Sequence, residues 1–318
     1  MNTASKARPA TEVILLFGPT AVGKTEILRH LTGRSVEVIS ADSMQVYRGM
    51  DIGTAKPDRD LLAALPHHLI GVVDPDQQFD VGEFVGRADV LVEQIAGRGN
   101  VPLLCGGTAF YLKHFLHGLP GTPPGDSAIR EQLRREAETD GLQALFAELE
   151  RVDPEYAARI SSHDPVRIMR GLEIFRLSGR KVSSFRLSGL TRKPYRCLLL
   201  GLFRPQQELY NRIDNRVESM FARGLVNEIK ELLRKGYRWQ DPGFKGIGYR
   251  EFRFMQMGCL SLAGVKERIK RDTRRYAKRQ LTFFRSLASV RWHRPDDVRG
   301  VESAIDGFLA DRPQVGVR

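Results

Sequence analysis

"EVILLFGPTAVGKT" (residues 12–25) is the stretch on which the fold turns. Six residues, five of them apolar, read as a buried strand. They run into Gly18-Pro19-Thr20-Ala21-Val22-Gly23-Lys24-Thr25, the pattern G-x-x-x-x-G-K-T. Such a loop turns its backbone N–H groups around phosphate oxygens. Gly18 and Gly23 permit the turn, Lys24 adds a point charge, and Thr25 offers a hydroxyl to Mg²⁺ at the start of a helix. A strand before the loop and a helix after it are the context the motif requires. The loop leaves open which phosphate is held and what departs with it.

Outward from that loop, apolar runs alternate with helical patterns. "VEVIS" (36–40), "HLIGVVD" (68–74), "VPLLCGG" (101–107) and "YRCLLLGLF" (195–203) read as strands. "VGEFVGRADVLVEQIAGRG" (81–99) has helical spacing, with Phe84, Val85, Ala88, Val92 and Ile95 on one face. The alternation predicts an α/β fold: a phosphate-loop parallel sheet with helices on both faces. "GLPGTPPGD" (118–126) breaks the rhythm. Four helical patterns follow it, so residues 119–194 are expected to form a helical insertion between two parts of the core, 1–118 and 195–318. Helical segments are expected at 206–222, 225–235 and 262–288.

The chain of 318 residues carries a net charge of +12. Residues 1–118 hold 11 Lys+Arg and 13 Asp+Glu, leaving 39 basic and 25 acidic residues to the remainder. This asymmetry suggests a polyanionic partner such as nucleic acid, against a merely basic surface. Its sharpest expression is "KERIKRDTRRYAKRQLTFFR" (266–285), with nine basic and two acidic residues. Ile269, Thr273, Tyr276, Phe283 and Phe284 make the inward stripe. Three scattered cysteines exclude a disulfide or zinc framework and point to a reduced compartment. The start of the sequence has no apolar leader, and no run approaches about 18 apolar residues. The expectation is a soluble cytoplasmic protein without membrane association.

Asp42 follows the second strand on the same edge as the phosphate loop, where ligands of open parallel sheets bind. It reads as a base, a metal ligand or an acceptor for an amine, or else as a helix N-cap. Thr108, in "GGTAFY", can donate to a ligand or cap a helix. Asp74 reads as a metal ligand or a turn residue. "DIGTAKP" (51–57) has no function that spacing reveals. No guanine-reading N-K-x-D is present, and no group that would position a hydrolytic water stands out.

Taken together, "GPTAVGKT", "DSMQVYRGMDIGTAKP", "PHHLIGVVDP", "GGTAFYLK", "IFRLSGR", "GIGYREF" and "RRYAKRQLTFFR", in this order, resemble the tRNA dimethylallyltransferase (tRNA isopentenyltransferase) family. The resemblance runs from about residue 12 to about residue 292. It implies transfer of a dimethylallyl group from dimethylallyl diphosphate to N6 of adenosine 37 beside the anticodon, by a monomer. The loop from Gly18 to Thr25 would hold the diphosphate with Mg²⁺, although the same motif is also read as an ATP site. Asp42 would be the base, with Thr20 and Arg216 catalytic; from the sequence alone, Arg216 equally suits an exposed partner in an acidic helix.

The resemblance also implies tRNA contacts. They run through Asp42, Ser43, Met44 and Gln45; Thr108 and Arg130; and Val166, Arg167, Ile168, Met169 and Arg170. Further on they include Lys245, Gly246, Ile247, Gly248, Tyr249 and Arg250. The last group is Lys278, Arg279, Gln280, Leu281, Thr282, Phe283, Phe284 and Arg285. Gln45 would read base edges. Tyr249, Phe283 and Phe284 would stack on bases, unless they simply pack in the core. Two other readings stay open at this point: a kinase or isopentenyltransferase acting on a small molecule or free nucleotide, and an RNA-binding ATPase.

Overall fold

A computed structural model describes residues 10–185, 192 and 195–311. Six parallel strands form one sheet in the order β3-β2-β4-β1-β5-β6. They are β1 (Thr11–Phe17), β2 (Val36–Ser40), β3 (His67–His68), β4 (Val101–Gly106), β5 (Tyr195–Leu202) and β6 (Arg291–His293). β1 is central, pairing Ile14 with Leu103 on one side and with Leu198 on the other. Its side chains alternate between two buried cores. Val13, Leu15 and Phe17 join one, and Ile14 and Leu16 the other. Burial on both faces is why residues 13–17 of the strand are all apolar, each such side chain contributing roughly 1.5–3 kcal/mol.

Helices cover both faces. α1 (Lys24–His30) carries the chain from the phosphate loop, and α2 (Arg59–Ala64) precedes β3. α3 (Val81–Gly97) starts where Asp80 accepts from Glu83 N–H, and it buries Phe84, Val85, Ala88, Val92 and Ile95 as its spacing predicts. α4 (Ala109–His117) follows β4. Later in the chain come α9 (Gln206–Ala222), α10 (Leu225–Arg234), α11 (Phe252–Gln256) and the 23-residue α12 (Leu262–Phe284).

The structure corrects the expected third strand. Only His67–His68 pair, with Val38 and Ile39. Leu69 and Gly71 take positive φ (62° and 61°), which ends the strand. The chain touches the sheet region again through a single bridge from Val73 to Tyr47. Among the described α-helices and strands, four lie beyond the sequence reading: the short helices α2 and α11, and β6 and the helix that follows it. β6 adds three residues beside Leu200–Leu202, too few to show a period. α13 (Val298–Ala310) is capped by Asp297 and buries Val301, Ala304 and Ile305, an i, i+3, i+4 pattern that is legible in the sequence.

The chain divides into two compact units. The first contains the sheet and joins residues up to Leu116 to those from Arg192 onward. The second spans His117–Thr191. Its helices are α5 (Ser127–Thr139), α6 (Leu142–Val152), α7 (Pro154–Ala157) and α8 (Pro165–Ser178). They close on a separate core that includes Leu133, Leu145, Leu149, Ile168 and Leu172. The expected boundary at 194 lies outside the described residues.

Candidate active site

The phosphate loop leaves β1 at the carboxyl edge of the sheet. At Gly18 an added Cβ would lie 2.7 Å from Leu202 O, and Gly23 takes φ 119°. Both positions therefore require glycine. The loop's carbonyls are held by cations. Lys24 Nζ donates to Gly18 O and Pro19 O, both at 2.9 Å. Arg212 Nε donates to Ala21 O at 2.9 Å and Arg204 Nε to Val22 O at 2.7 Å. The two arginines, from α9 and the segment before it, fix the loop's turn, and each also pairs with a carboxylate, Arg204 with Glu208 and Arg212 with Glu26. Burial lowers the Lys24 ammonium to a pKa of about 8, opposed by Cys105 and Asp42 and reinforced by Arg216.

Asp42 stands two residues past β2, which pairs with β4. Its Oδ1 accepts from Met44 N–H at 2.9 Å and from Gln45 N–H at 3.3 Å. The residue thus caps a turn, but no helix follows. Among the described residues no donor reaches Oδ2. One carboxylate oxygen is held by the turn, and Asp42 lines the cavity. The loop is pinned to the end of β4. Ala41 N–H donates to Cys105 O at 2.8 Å, Thr108 N–H to Ala41 O at 3.1 Å, and Ser43 N–H to Thr108 Oγ1 at 2.9 Å. Gly106 allows this approach, because Ala41's backbone occupies the place of a Cβ.

Arg216, on α9, is half-buried and donates to Thr54 O at 3.3 Å. It is not the exposed helix partner that its acidic surroundings allow. Burial holds its guanidinium below the usual arginine range, against the pull of Asp42 and Glu26. Thr20, Lys24, Thr25, Asp42 and Arg216 all line one cavity of about 780 Å³. Met44, Ile213, Val217, Met220, Ile247 and Ile269 give it an apolar wall. The lining therefore offers charged groups for an anion and apolar side chains for a small hydrocarbon.

Among the described residues, no three His, Cys, Asp or Glu side chains gather into a metal cage. The cavity wall offers the Thr25 hydroxyl and the Asp42 carboxylate instead. That donor set fits Mg²⁺, which keeps several waters and takes other oxygens from a bound phosphate. Asp74 accepts from Arg48 and is a loop residue outside the cavity.

Several expected contact residues prove to be internal. Tyr249 and Phe284 are fully buried, so neither can stack on a base. Tyr249 donates its hydroxyl to Glu228, and Phe284 packs on Phe17 with centroids 4.8 Å apart. Ile168 is fully buried in the insertion core. Gln280 is buried too; it accepts from Thr20 N–H at 3.0 Å and donates to Gly107 O at 2.7 Å. Gln45 does not present a free amide to a base edge, since its Nε2 donates to Ala55 O at 3.3 Å. Gly246 and Gly248 are buried against Met44 and Gly53.

Other expected residues are accessible. Lys245 is exposed and Ile247 half-buried, and both line the cavity. Arg250 is tied to Glu251 at 2.8 Å and Asp272 at 3.4 Å. On α12, Lys266 and Lys270 pair with Glu218, and Arg274 pairs with Asp214. Lys278, Arg279 and Arg285 are exposed and have no ion-pair partner among the described residues. Leu281 and Phe283 are half-buried, Lys113 lies over the Phe283 ring, and Thr282 bonds back to Lys278 O.

Within the insertion, Val166 is 73% exposed, Met169 is half-buried, and Arg167 pairs with Asp164. Arg130 and Arg170 both pair with the buried Glu173, at 2.8 and 2.7 Å. Arg204, Arg212 and Glu228 escape the sequence reading. Arg212 alone had a local signal, since it lies one helical turn before Arg216.

A phosphate loop, a carboxylate facing it and a half-buried arginine around one part-apolar cavity define a phosphate-loop group-transfer protein. The family model described as IPP transferase matches residues 45–287. The chain is 46% identical over 282 residues to tRNA dimethylallyltransferase 1 of Syntrophotalea carbinolica, covering 88% of this chain and 90% of that protein. It is 36% identical to the full-length tRNA isopentenylpyrophosphate transferase of Bacillus halodurans in its crystal structure. The TM-score there is 0.71, with 95% of this chain and 98% of that one covered. A eukaryotic dimethylallyltransferase crystallised acting on tRNA is 26% identical with a TM-score of 0.78, covering 97% of this chain and 82% of that one. The chain belongs to the IPP transferase family and is a prenyltransferase enzyme.

Proposed function

We infer that the chain transfers the dimethylallyl group of dimethylallyl diphosphate to N6 of adenosine 37 in tRNA, releasing diphosphate. The observation that carries this reading is the shared cavity. Phosphate-loop residues, Asp42 and a set of apolar side chains all line it.

The chemistry follows from those groups. The adenine amine is a poor nucleophile because its lone pair is delocalised into the ring. Asp42 Oδ2 takes the N6 proton as the N6–C1 bond forms. The C1–O bond breaks and its electron pair leaves on diphosphate. The allylic carbon spreads the positive charge that develops there. The loop's N–H groups, Lys24 and Arg216 stabilise the departing anion, and Arg204 and Arg212 hold the loop's turn ready. Mg²⁺ at Thr25 would neutralise further charge on the diphosphate. Thr20 stands beside this reaction centre.

Adenosine 37 is stacked in the anticodon loop, and flipping it out costs a few kcal/mol. Contacts of Lys278, Arg279 and Arg285 with the phosphate backbone of the stem-loop offset that cost without reading sequence. The enzyme works as a cytoplasmic monomer in this reading. Among the described residues, no helix is long and apolar enough to cross a membrane.

The test is incubation with radiolabelled dimethylallyl diphosphate and unmodified tRNA, in parallel with AMP and with ATP alone. Label entering tRNA only, and lost in Asp42→Ala, is the expected result. Label on AMP, or ATP hydrolysis without transfer, would sink the reading.

A further inference from the structure

We propose that Gln280 is a positioning residue for the phosphate loop and not a nucleic-acid contact, although it sits in the most basic stretch of the chain. The inference rests on the reaction assigned above. Gln280 is on α12 between exposed Arg279 and half-buried Leu281, yet it is only 4% exposed. Its amide spans two strand ends. Oε1 accepts from Thr20 N–H in the loop after β1, and Nε2 donates to Gly107 O after β4. The orientation is fixed by its partners, since the reversed amide would set N–H against N–H and oxygen against oxygen.

A second observation points the same way. An added Cβ at Gly107 would lie 2.5 Å from Gln280 Nε2. Gly107 is therefore the space into which the amide fits. Two strand ends that flank the cavity are held at one spacing by a side chain from a helix 260 positions away from Thr20 in the chain. Thr20 lies in the phosphate loop, and Gly107 adjoins Thr108, which pins the Asp42 turn. Gln280 thus sets the loop that grips the leaving group against the loop that carries the base. Its outward neighbour Lys278 is exposed and available to a polyanion.

Gln280→Met keeps the volume and removes both hydrogen bonds. Three quantities are read: the Kd for inorganic diphosphate by calorimetry, the KM for dimethylallyl diphosphate, and the Kd for unmodified tRNA by filter binding. Losing hydrogen bonds to buried backbone groups predicts a rise of about tenfold or more in the first two, with the tRNA Kd unchanged. Gln280→Glu sets a carboxylate oxygen against Gly107 O, as the reversed amide would, and adds negative charge beside the loop, so it should weaken diphosphate binding at least as much as Gln280→Met. Gly107→Ala pushes the amide away and should reproduce the pattern. Because both changes break one contact, the double variant should be no worse than the worse single. A weakened tRNA Kd with diphosphate binding intact would overturn the proposal, as would additivity of the two substitutions. If wild type transfers no label to tRNA, the assigned reaction fails, while the diphosphate titration still decides the role of Gln280.

Discussion

Tyr249 donates its hydroxyl to Glu228 at 2.7 Å, and the same carboxylate accepts from the N–H groups of Asp51, Ile52 and Gly53 at 2.8, 2.6 and 3.1 Å. This one side chain explains "DIGTAKP". The loop is folded around Glu228 so that Gly53, Thr54 and Ala55 face the cavity and Thr54 O receives Arg216. Burial and then the neighbouring carboxylate raise the Tyr249 phenol well above its ordinary pKa, so it donates at all working pH values. Tyr249→Phe should cost about 1 kcal/mol of stability. Glu228→Ala should strand three backbone donors and lower kcat/KM as well, read by thermal melting beside transfer kinetics.

Asp42→Asn keeps an oxygen that can cap Met44 and Gln45 but loses the basic oxygen. Single-turnover transfer should fall about 10²- to 10⁴-fold. The melting temperature and tRNA affinity should stay near wild type. A comparable loss of tRNA binding would show that Asp42 acts in docking and not in proton transfer.

The lowered pKa of Lys24 gives diphosphate binding a pH dependence. Below about 8 the ammonium is charged and attracts the anion; as pH rises through about 8 the free enzyme loses that charge and affinity should decline. The stability trend has the opposite sign. Between about 8 and the ordinary lysine value of 10.5, the unfolded chain holds a proton that the folded chain has released, so this group's contribution to stability rises with pH. Calorimetry with inorganic diphosphate between pH 7 and 9.5 tests the first trend, and Lys24→Met should abolish it.

Lys278, Arg279 and Arg285 carry exposed charge with no acidic partner among the described residues. Replacing all three with Gln should flatten the dependence of log Kd for tRNA on log salt by about 0.7–0.9 per lost phosphate contact. Replacing only Lys278 and Arg285, which do not line the cavity, should leave the KM for dimethylallyl diphosphate unchanged. Neutralising Lys266 and Lys270, which pair with Glu218, should alter the slope far less.

In the insertion, Glu173 is 1% exposed and holds Arg130, Arg170 and Asp126 N–H together. Glu173→Ala leaves these donors without their shared acceptor and should destabilise the helical unit by about 1–3 kcal/mol, since the two arginines can be hydrated. Limited proteolysis should then cut first between residues 117 and 191.

The sequence by itself determined the phosphate loop, the parallel sheet around it, the inward face of α3 and the position of Asp42 past a strand. Each of these depends on residues within one turn or one strand, where periodicity and glycine placement act locally. The tertiary structure decided which residues of the later motifs face inward. In "KRQLTFFR" it buries Gln280 and Phe284 and leaves Lys278, Arg279 and Arg285 outside. In "KGIGYR" it buries Tyr249 against Glu228. Those assignments depend on partners far along the chain: Thr20 is 260 positions from Gln280, and Ile52 is 176 from Glu228. A glutamine in a basic run reads as solvated until a strand end supplies the N–H and the carbonyl that make its burial favourable.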